Sequence, residues 1–157
     1  MTNLDSIDKQ ILALLHEDAH MTNKKIAEQL GLSITPIHER IKKLEKEGII
    51  TKYKAVINPQ KIGKSLTVFC DITLKEHAAE YLTQFEKDAM SLPEVQECFC
   101  ISGHSDFLLK IIVQDMDDYR NFILHKLANI KNIGNAQSHF VMNEIQNENI
   151  LSWLNNE

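Results

Sequence analysis

The sequence predicts an α+β protein with two domains: an N-terminal winged helix-turn-helix and a C-terminal ferredoxin-like βαββαβ domain. Residues 22–50 have the pattern of two short helices around a tight turn, and the second half changes from helical to alternating periodicity. Charge also divides between the halves. We place the first domain at residues 1–58, a linker at 59–64, which contains Gly63, and the second domain at 65–157.

The helix-turn-helix prediction comes from caps and spacing. Thr22 can cap a first helix, and the segment Gly31-Leu32-Ser33 then turns the chain into a second helix. At about 100° per residue, the apolar positions of that second helix fall within a roughly 60° stripe. They are Ile37, Ile41, Leu44 and Gly48, and the opposite face carries Thr35, Glu39, Lys42, Lys43 and Lys46. A polar, basic face just after a capped turn is typical of a helix that reads the major groove.

Two further elements complete the first domain. A helix from about Asp5 to Glu17, capped by Asp5 or Ser6, adds a third helix. The β-branched, alternating stretch Ile49–Ile57 predicts a strand or wing that Asn58-Pro59 closes.

The second domain is predicted from its changes of period. The first elements are a strand over Leu66–Leu74 and a helix from Ala78 to Leu92, which Pro93 ends. Two strands follow, near Val95–Ser102 and Phe107–Val113, and then a helix capped by Asp115, Asp117 and Asp118, with core positions from Tyr119 to Ile130. The last elements are a strand over 136–145 and a short helix over 148–154. This order is that of the ferredoxin-like split βαβ unit.

The net charge of −5 hides an uneven distribution. Residues 1–64 carry 11 Lys and Arg against 8 Asp and Glu, whereas residues 65–157 carry 6 against 14. Phosphate binding requires cations on one surface. We therefore expect DNA contact to be confined to the first half.

Composition limits the class of protein. No apolar run approaches the roughly 18 residues of a membrane span, and the N-terminus lacks the pattern of a signal peptide, so we expect a cytoplasmic protein without membrane association. Cys70, Cys98 and Cys100 are odd in number and lack CxxC spacing, which argues against a disulfide framework or a zinc site. Buried reduced thiols fit this pattern, although Cys98 and Cys100 share a strand face and leave a redox or metal role open.

The sequence resembles the Lrp/AsnC, or feast/famine, transcription regulators over nearly its whole length. The matching motifs are Leu4-Asp5-x-x-Asp8-x-x-Ile11-Leu12, Ile26-Ala27, Gly31-Leu32-Ser33, Arg40-Ile41-Lys42-Lys43-Leu44-Glu45-x-x-Gly48-Ile49-Ile50, Gly63, Gly103-x-x-Asp106 and Phe140-Val141-Met142. The resemblance implies a DNA-binding domain and a C-terminal RAM domain that dimerises, builds octamers and senses small molecules, usually amino acids.

The loop Gly103-His104-Ser105-Asp106 is the candidate effector site. A zwitterionic amino acid needs an acceptor for its ammonium group, which Asp106 offers, and amide donors for its carboxylate, which the backbone around Gly103 offers. A hairpin whose aspartate only caps its own turn is the alternative. The resemblance favours the site and adds Met116, Ser138, His139 and Phe140 as lining, while His104 and Ser105 depart from the residues that many relatives carry.

Candidate DNA contacts lie on the recognition helix and the wing. They are Ser33, Thr35, Pro36, His38, Glu39, Arg40, Lys42, Lys43, Lys46, Lys52 and Lys54. Arg40 lies at the margin of the apolar stripe, where it can instead pair with Glu39 or Glu45.

Catalytic patterns do not hold up, so we expect no enzyme, cofactor or metal. Ser6-Ile7-Asp8-Lys9 spells SxxK in a helix cap, Gly63-Lys64-Ser65 lacks the earlier glycine of a P-loop, and no HExxH occurs. Two alternatives remain. Sirohaem decarboxylases resemble this family, and His104, His125, His139 and Arg120 are available for tetrapyrrole binding; a ligand-binding module without DNA binding is the other. We expect a homodimeric, octamer-forming regulator that binds double-stranded DNA and an amino acid.

Overall fold

The computed structural model describes residues 4–145, which divide into two compact units. The helical unit contains the described residues up to Val56 together with Ile145, and the second unit spans Ile57–Glu144. The segment predicted as a linker, 59–64, lies in the second unit, where Gln60–Ile62 form a 3-10 turn.

Three helices build the first unit: α1 (Ser6–Glu17), α2 (Asn23–Leu30) and α3 (Ile34–Lys46). Their apolar stripes meet in one core of buried side chains, Ile11, Ile26, Ala27, Ile37, Ile41 and Leu44. The predicted stripe of the recognition helix is therefore confirmed at its three large side chains.

Gly48 was placed on that stripe, and this prediction is wrong. Gly48 is exposed, lies beyond the end of α3 and has φ of +71°, in the left-handed region that favours glycine. The amide of Ile49 donates to the carbonyl of Leu44 at 2.9 Å, so Gly48 ends the helix.

The predicted strand over Ile49–Ile57 is not confirmed. Residues 51–57 form no regular element in the described chain. A strand needs a partner to satisfy its amide and carbonyl groups, and within the described chain this segment is paired with no other strand.

The second unit has the predicted βαββαβ order. Its elements are β1 (Leu66–Leu74), α4 (Ala79–Met90), β2 (Val95–Cys100), β3 (Phe107–Val113), α5 (Met116–His125) and β4 (Ile133–Phe140). The strands form one antiparallel sheet in the order β2-β3-β1-β4. The sheet therefore places β1 between β3 and β4.

Alternation along β1 and β3 gives the sheet two different faces. Val68, Cys70 and Ile72 of β1 lie opposite Ile111, Leu109 and Phe107 of β3, and all six side chains are buried. They pack with Phe85 of α4 and Phe122 of α5, so both helices cover this face of the sheet, which we call the helix face. The other face, which we call the open face, carries Phe69, Asp71, Phe99, Leu108, Lys110, Ile112 and His139.

Two predicted boundaries in this unit were misplaced. The second helix stops at His125 and gives way to a 3-10 turn at Leu127–Asn129, where the amide of the Asn129 side chain donates to the His125 carbonyl at 2.5 Å. The last strand runs over Ile133–Phe140 rather than 136–145. The short helix predicted over 148–154 lies outside the described residues.

Candidate DNA-binding and effector-binding sites

The turn between α2 and α3 sets the direction of the recognition helix. Thr22 caps α2 by accepting a hydrogen bond from the Lys25 amide at 3.3 Å. Gly31 then ends α2 with φ of +66°, and the Leu32 amide donates to the Ala27 carbonyl at 2.9 Å. A residue with a Cβ is strained at that φ, which explains why glycine stands at the turn.

One side of α3 is exposed along its whole length. The exposed candidates on it are Thr35, His38, Glu39, Lys42, Lys43 and Lys46; Ser33 precedes the helix and is exposed, and Pro36 is half-buried in its first turn. The buried residues of α3 lie on the opposite side, so the cationic face is available to a duplex.

His38 is held by a neighbouring helix. The Asn23 side-chain nitrogen lies 3.0 Å from Nδ1 of His38. An asparagine amide that donates to Nδ1 favours the tautomer with the ring proton on Nε2.

Arg40 points into the helical unit rather than out of it. Its guanidinium lies 2.6 Å from a carboxylate oxygen of Asp5 and 2.6 Å from one of Asp8. Asp8 is buried, and the two aspartates also form a capping box at the start of α1. The backbone amide of Asp8 and the guanidinium hold the pKa of Asp5 below its usual value. Arg40 therefore pairs with Asp5 and Asp8 rather than with Glu39 or Glu45, and no local pattern in the sequence indicates Asp8 as its partner.

The segment that carries Lys52 and Lys54 is tied to the end of α3. The Tyr53 hydroxyl donates to a carboxylate oxygen of Glu45 at 2.8 Å. Burial, followed by this neighbouring carboxylate, raises the pKa of Tyr53. Lys52 and Lys54 on either side of it are exposed.

The candidate effector loop joins β2 to β3 and is fixed mainly through Asp106. Oδ2 of Asp106 accepts from the Leu74 amide at 2.7 Å and lies 3.1 Å from Nε2 of His77. Within the described residues both partners use Oδ2. Asp106 thus ties the loop to the end of β1 instead of capping its own turn.

The rest of the loop is exposed or half-buried. Gly103 has φ of +128°, and the Thr73 hydroxyl donates to the His104 carbonyl at 3.3 Å. Ser105 is half-buried, and His104 is exposed. The loop is therefore exposed at Gly103 and His104, whereas the Asp106 side chain beside them is only 21% exposed.

The other candidates lie at the edge formed by α5 and β4. Tyr119 of α5 forms a hydrogen bond with Ser138 and an edge-to-face contact with Phe140, with ring centroids 5.3 Å apart. Met116, three residues before Tyr119, is 56% exposed. Tyr119 was predicted only as a core position, yet it joins two of the candidates.

His139 faces the other side of the sheet. Its Nε2 lies 2.8 Å from a carboxylate oxygen of Asp71 on the open face. Ser138 and Phe140 belong to the helix face, opposite Cys70 and Val68. One chain therefore does not bring all eight effector candidates to one place, and β1 separates the loop from the β4 edge.

The cysteines are free thiols, and Cys100 is exposed, so the expectation of buried thiols is wrong for this residue. Across residues 4–145, no group of three or more His, Cys, Asp or Glu side chains is arranged to hold a metal. Cys70 is buried, and burial raises the pKa of Cys98 to about 11, so its thiol stays protonated at neutral pH. In the same part of the chain, no helix is both long and apolar enough to cross a bilayer.

A helix-turn-helix with an exposed cationic helix, together with a βαββαβ domain, is the architecture of a DNA-binding regulator with a ligand-binding domain. Comparison with known proteins agrees. Residues 4–51 match the model for winged helix-turn-helix DNA-binding domains, and residues 67–151 match the model for the Lrp/AsnC ligand binding domain. The chain belongs to the Lrp/AsnC family of transcriptional regulators.

Similar proteins come from several bacteria. The chain is 38% identical over 149 residues to the leucine-responsive regulatory protein of Escherichia coli K12, covering 95% of this chain and 91% of that protein. The same values hold for the leucine-responsive regulatory protein of Klebsiella pneumoniae. A transcriptional regulator from Neisseria meningitidis, solved in complex with L-Met, is 32% identical with a TM-score of 0.88, covering 92% and 94% of the two chains. These relatives are regulators rather than enzymes, so the sirohaem-decarboxylase alternative is set aside.

Proposed function

We propose that this regulator binds double-stranded DNA through the exposed face of α3 and responds to an amino acid with an apolar side chain bound in its second unit. The observation that carries the DNA part is the cationic face of α3, exposed along its length while the opposite side is buried. The effector part rests on the loop around Asp106 and on the α5–β4 edge.

The α3 candidates divide by chemistry. Ser33, Thr35, Pro36 and His38 belong to the turn and the first part of the helix, where base edges are reached, and Lys42 lies about one turn after His38 on the same exposed face. Lys43, Lys46, Lys52 and Lys54 are suited to phosphates. Glu39 can only accept, for example from a cytosine amine. Arg40 is committed to Asp5 and Asp8, and we leave it out of the proposed phosphate contacts.

The effector loop and the β4 edge supply different parts of an amino-acid site. Asp106 offers a fixed carboxylate for the ammonium group, and the amides around Gly103 can donate to the carboxylate. Met116 and Phe140 are exposed apolar side chains suited to an apolar ligand side chain. Because β1 separates the two groups, we propose that a second copy of the chain completes each site. The relatives named leucine-responsive or solved with L-Met support this ligand class.

Assembly is proposed to use the open face. Phe69, Leu108 and Ile112 are half-buried there and Phe99 is 45% exposed, so two such faces can pair by burying apolar surface. A homodimer formed this way would present two recognition helices to a pseudo-palindromic site. We propose further assembly to an octamer and a cytoplasmic location, where the DNA is.

A thermal-shift screen of the full chain against the twenty amino acids tests the effector proposal. A ligand at 100 times its dissociation constant stabilises the native state by about 2.7 kcal/mol, which raises the melting temperature. We expect leucine, methionine or a similar amino acid to raise the melting temperature and to change the affinity of the protein for DNA. If no amino acid alters either quantity, the effector proposal is wrong, whereas the DNA proposal is judged by DNA affinity alone.

A further inference from the structure

An apolar groove runs along the helical unit between α1 and residues 49–56. It encloses about 540 Å³, and its apolar lining includes Leu12, Leu15, Ile50, Tyr53 and Val56. Val56 is 91% exposed and Tyr53 is 48% exposed. A continuous apolar surface of this kind marks a place where something else packs.

The chain itself contains a matching apolar segment. Twelve residues, 146–157, follow the described part, and their sequence is Gln-Asn-Glu-Asn-Ile-Leu-Ser-Trp-Leu-Asn-Asn-Glu. Four large apolar residues fall within five positions: Ile150, Leu151, Trp153 and Leu154. Burying such side chains is favourable by about 1.5–3 kcal/mol each, so an apolar groove is a strong attractor for them.

Charge is complementary as well. Residues 146–157 contain Glu148 and Glu157 and no Lys or Arg. The groove is lined on its polar side by His16, Lys52 and Lys54. An acidic, apolar peptide is therefore the chemistry that this groove fits.

We propose that residues 146–157 of the same chain dock in this groove and cover its apolar lining. The choice of the chain's own segment rests on Ile145, the last described residue, which groups with the helical unit rather than with the second unit. Docking closes the groove with the segment that directly follows Ile145.

Trp153 provides the test because it is the one tryptophan of the sequence. In the full-length protein we expect a blue-shifted emission and weak quenching by acrylamide, since a docked indole is shielded from water. The variant Val56→Glu puts a charge into the groove at a side chain that is 91% exposed, so the core is untouched. We expect it to shift the emission to the red and to increase quenching.

Met142→Glu is the matched control. Met142 is 94% exposed, lies outside the groove and is closer in sequence to Trp153. It should leave the emission unchanged, and circular dichroism should show both variants folded. Solvent-exposed emission in the wild type, or an emission that Val56→Glu leaves unchanged, overturns the proposal.

A mixing experiment tests whether the segment belongs to the same chain. The Val56→Glu chain, which keeps Trp153, is mixed and refolded with a Trp153→Phe chain, whose groove is intact. We expect the emission of Trp153 to stay red-shifted. If mixing restores the blue shift, the segment docks on a second copy, and the assignment to its own chain is wrong.

Discussion

At the scale of single residues, Arg40 links two helices of the helical unit. Its position in a basic helix suggests phosphate contact, but its guanidinium joins α3 to Asp5 and Asp8 at the start of α1. The separations are 35 and 32 residues, and no local pattern in the sequence indicates which carboxylates will be near. Long-range pairing of this kind depends on the packed fold.

Arg40→Ala is expected to destabilise the helical unit. The change leaves Asp8, whose side chain is 4% exposed, without its cation. Removing one partner of a fully buried pair costs about 3–5 kcal/mol, and we expect about 2 kcal/mol here because the guanidinium is 30% exposed. Urea unfolding measures it. The control Lys43→Ala, on the exposed face, should stay within about 0.5 kcal/mol; equal losses in the two variants would contradict the assignment.

The ion pair between Asp5 and Arg40 makes the free energy of unfolding depend on pH. The pKa of Asp5 in the folded protein lies below its usual value of 3.8, so this carboxylate stabilises the fold above about pH 4. That contribution is lost as the pH falls through the folded pKa. Asp5→Asn should therefore flatten the decrease in unfolding free energy below pH 4, measured by urea unfolding at several pH values. If the unfolding free energy of Asp5→Asn decreases as steeply below pH 4 as that of the wild type, Asp5 is not the source of this pH dependence.

Asp106 is expected to separate effector response from DNA binding. Asp106→Asn removes the charge but keeps an oxygen that can accept from the Leu74 amide, so the loop should stay folded. We expect unchanged DNA affinity and loss of the response to the amino acid, measured by fluorescence anisotropy. His77→Ala removes the other partner of Oδ2 and leaves the carboxylate, so it should retain the response. A normal response in Asp106→Asn removes Asp106 from the site.

At the scale of the element, α3 combines a buried stripe with an exposed cationic face. Both could be predicted because each depends only on spacing along one helix. The wing could not, since residues 51–57 need a pairing partner that local sequence does not identify. The start of β4 was also misplaced, because Gly134-Asn135-Ala136-Gln137 has none of the apolar alternation that marked β1.

The α3 face should control the salt dependence of DNA binding. Lys42→Ala combined with Lys43→Ala should weaken binding and reduce the slope of log affinity against log salt by up to about 2, at about 0.9 per lost phosphate contact. Lys87→Ala with Lys131→Ala is the matched control, since it removes the same charge from the second unit. Equal effects in the two pairs would mean that only net charge matters.

At the scale of the whole molecule, the second unit has one face covered by helices and one open. The sequence predicted this unit well because alternation along β1 and β3 directly encodes two faces. The candidate effector site was less predictable. Its residues lie on both sides of β1, and one of them, His139, belongs to the open face, so the positions depend on sheet order rather than on motif.

Phe99→Glu should dissociate the proposed dimer. Phe99 is 45% exposed on the open face, and a buried carboxylate between two such faces is costly. We expect a smaller mass by size-exclusion chromatography with light scattering and weaker DNA binding, because two linked heads bind more tightly than one. Met90→Glu, at a 51% exposed position of α4, should leave the mass unchanged. An unaltered mass in Phe99→Glu places the interface elsewhere.

Strand β4 forms one edge of the sheet, and its successive side chains lie on opposite faces. Ser138 and Phe140 meet Tyr119 on one side, while His139 meets Asp71 on the other. We therefore expect a ligand that displaces β4 beside Phe140 to change the surroundings of His139 on the opposite face as well. The NMR signal of the His139 imidazole can therefore report ligand binding beside Phe140.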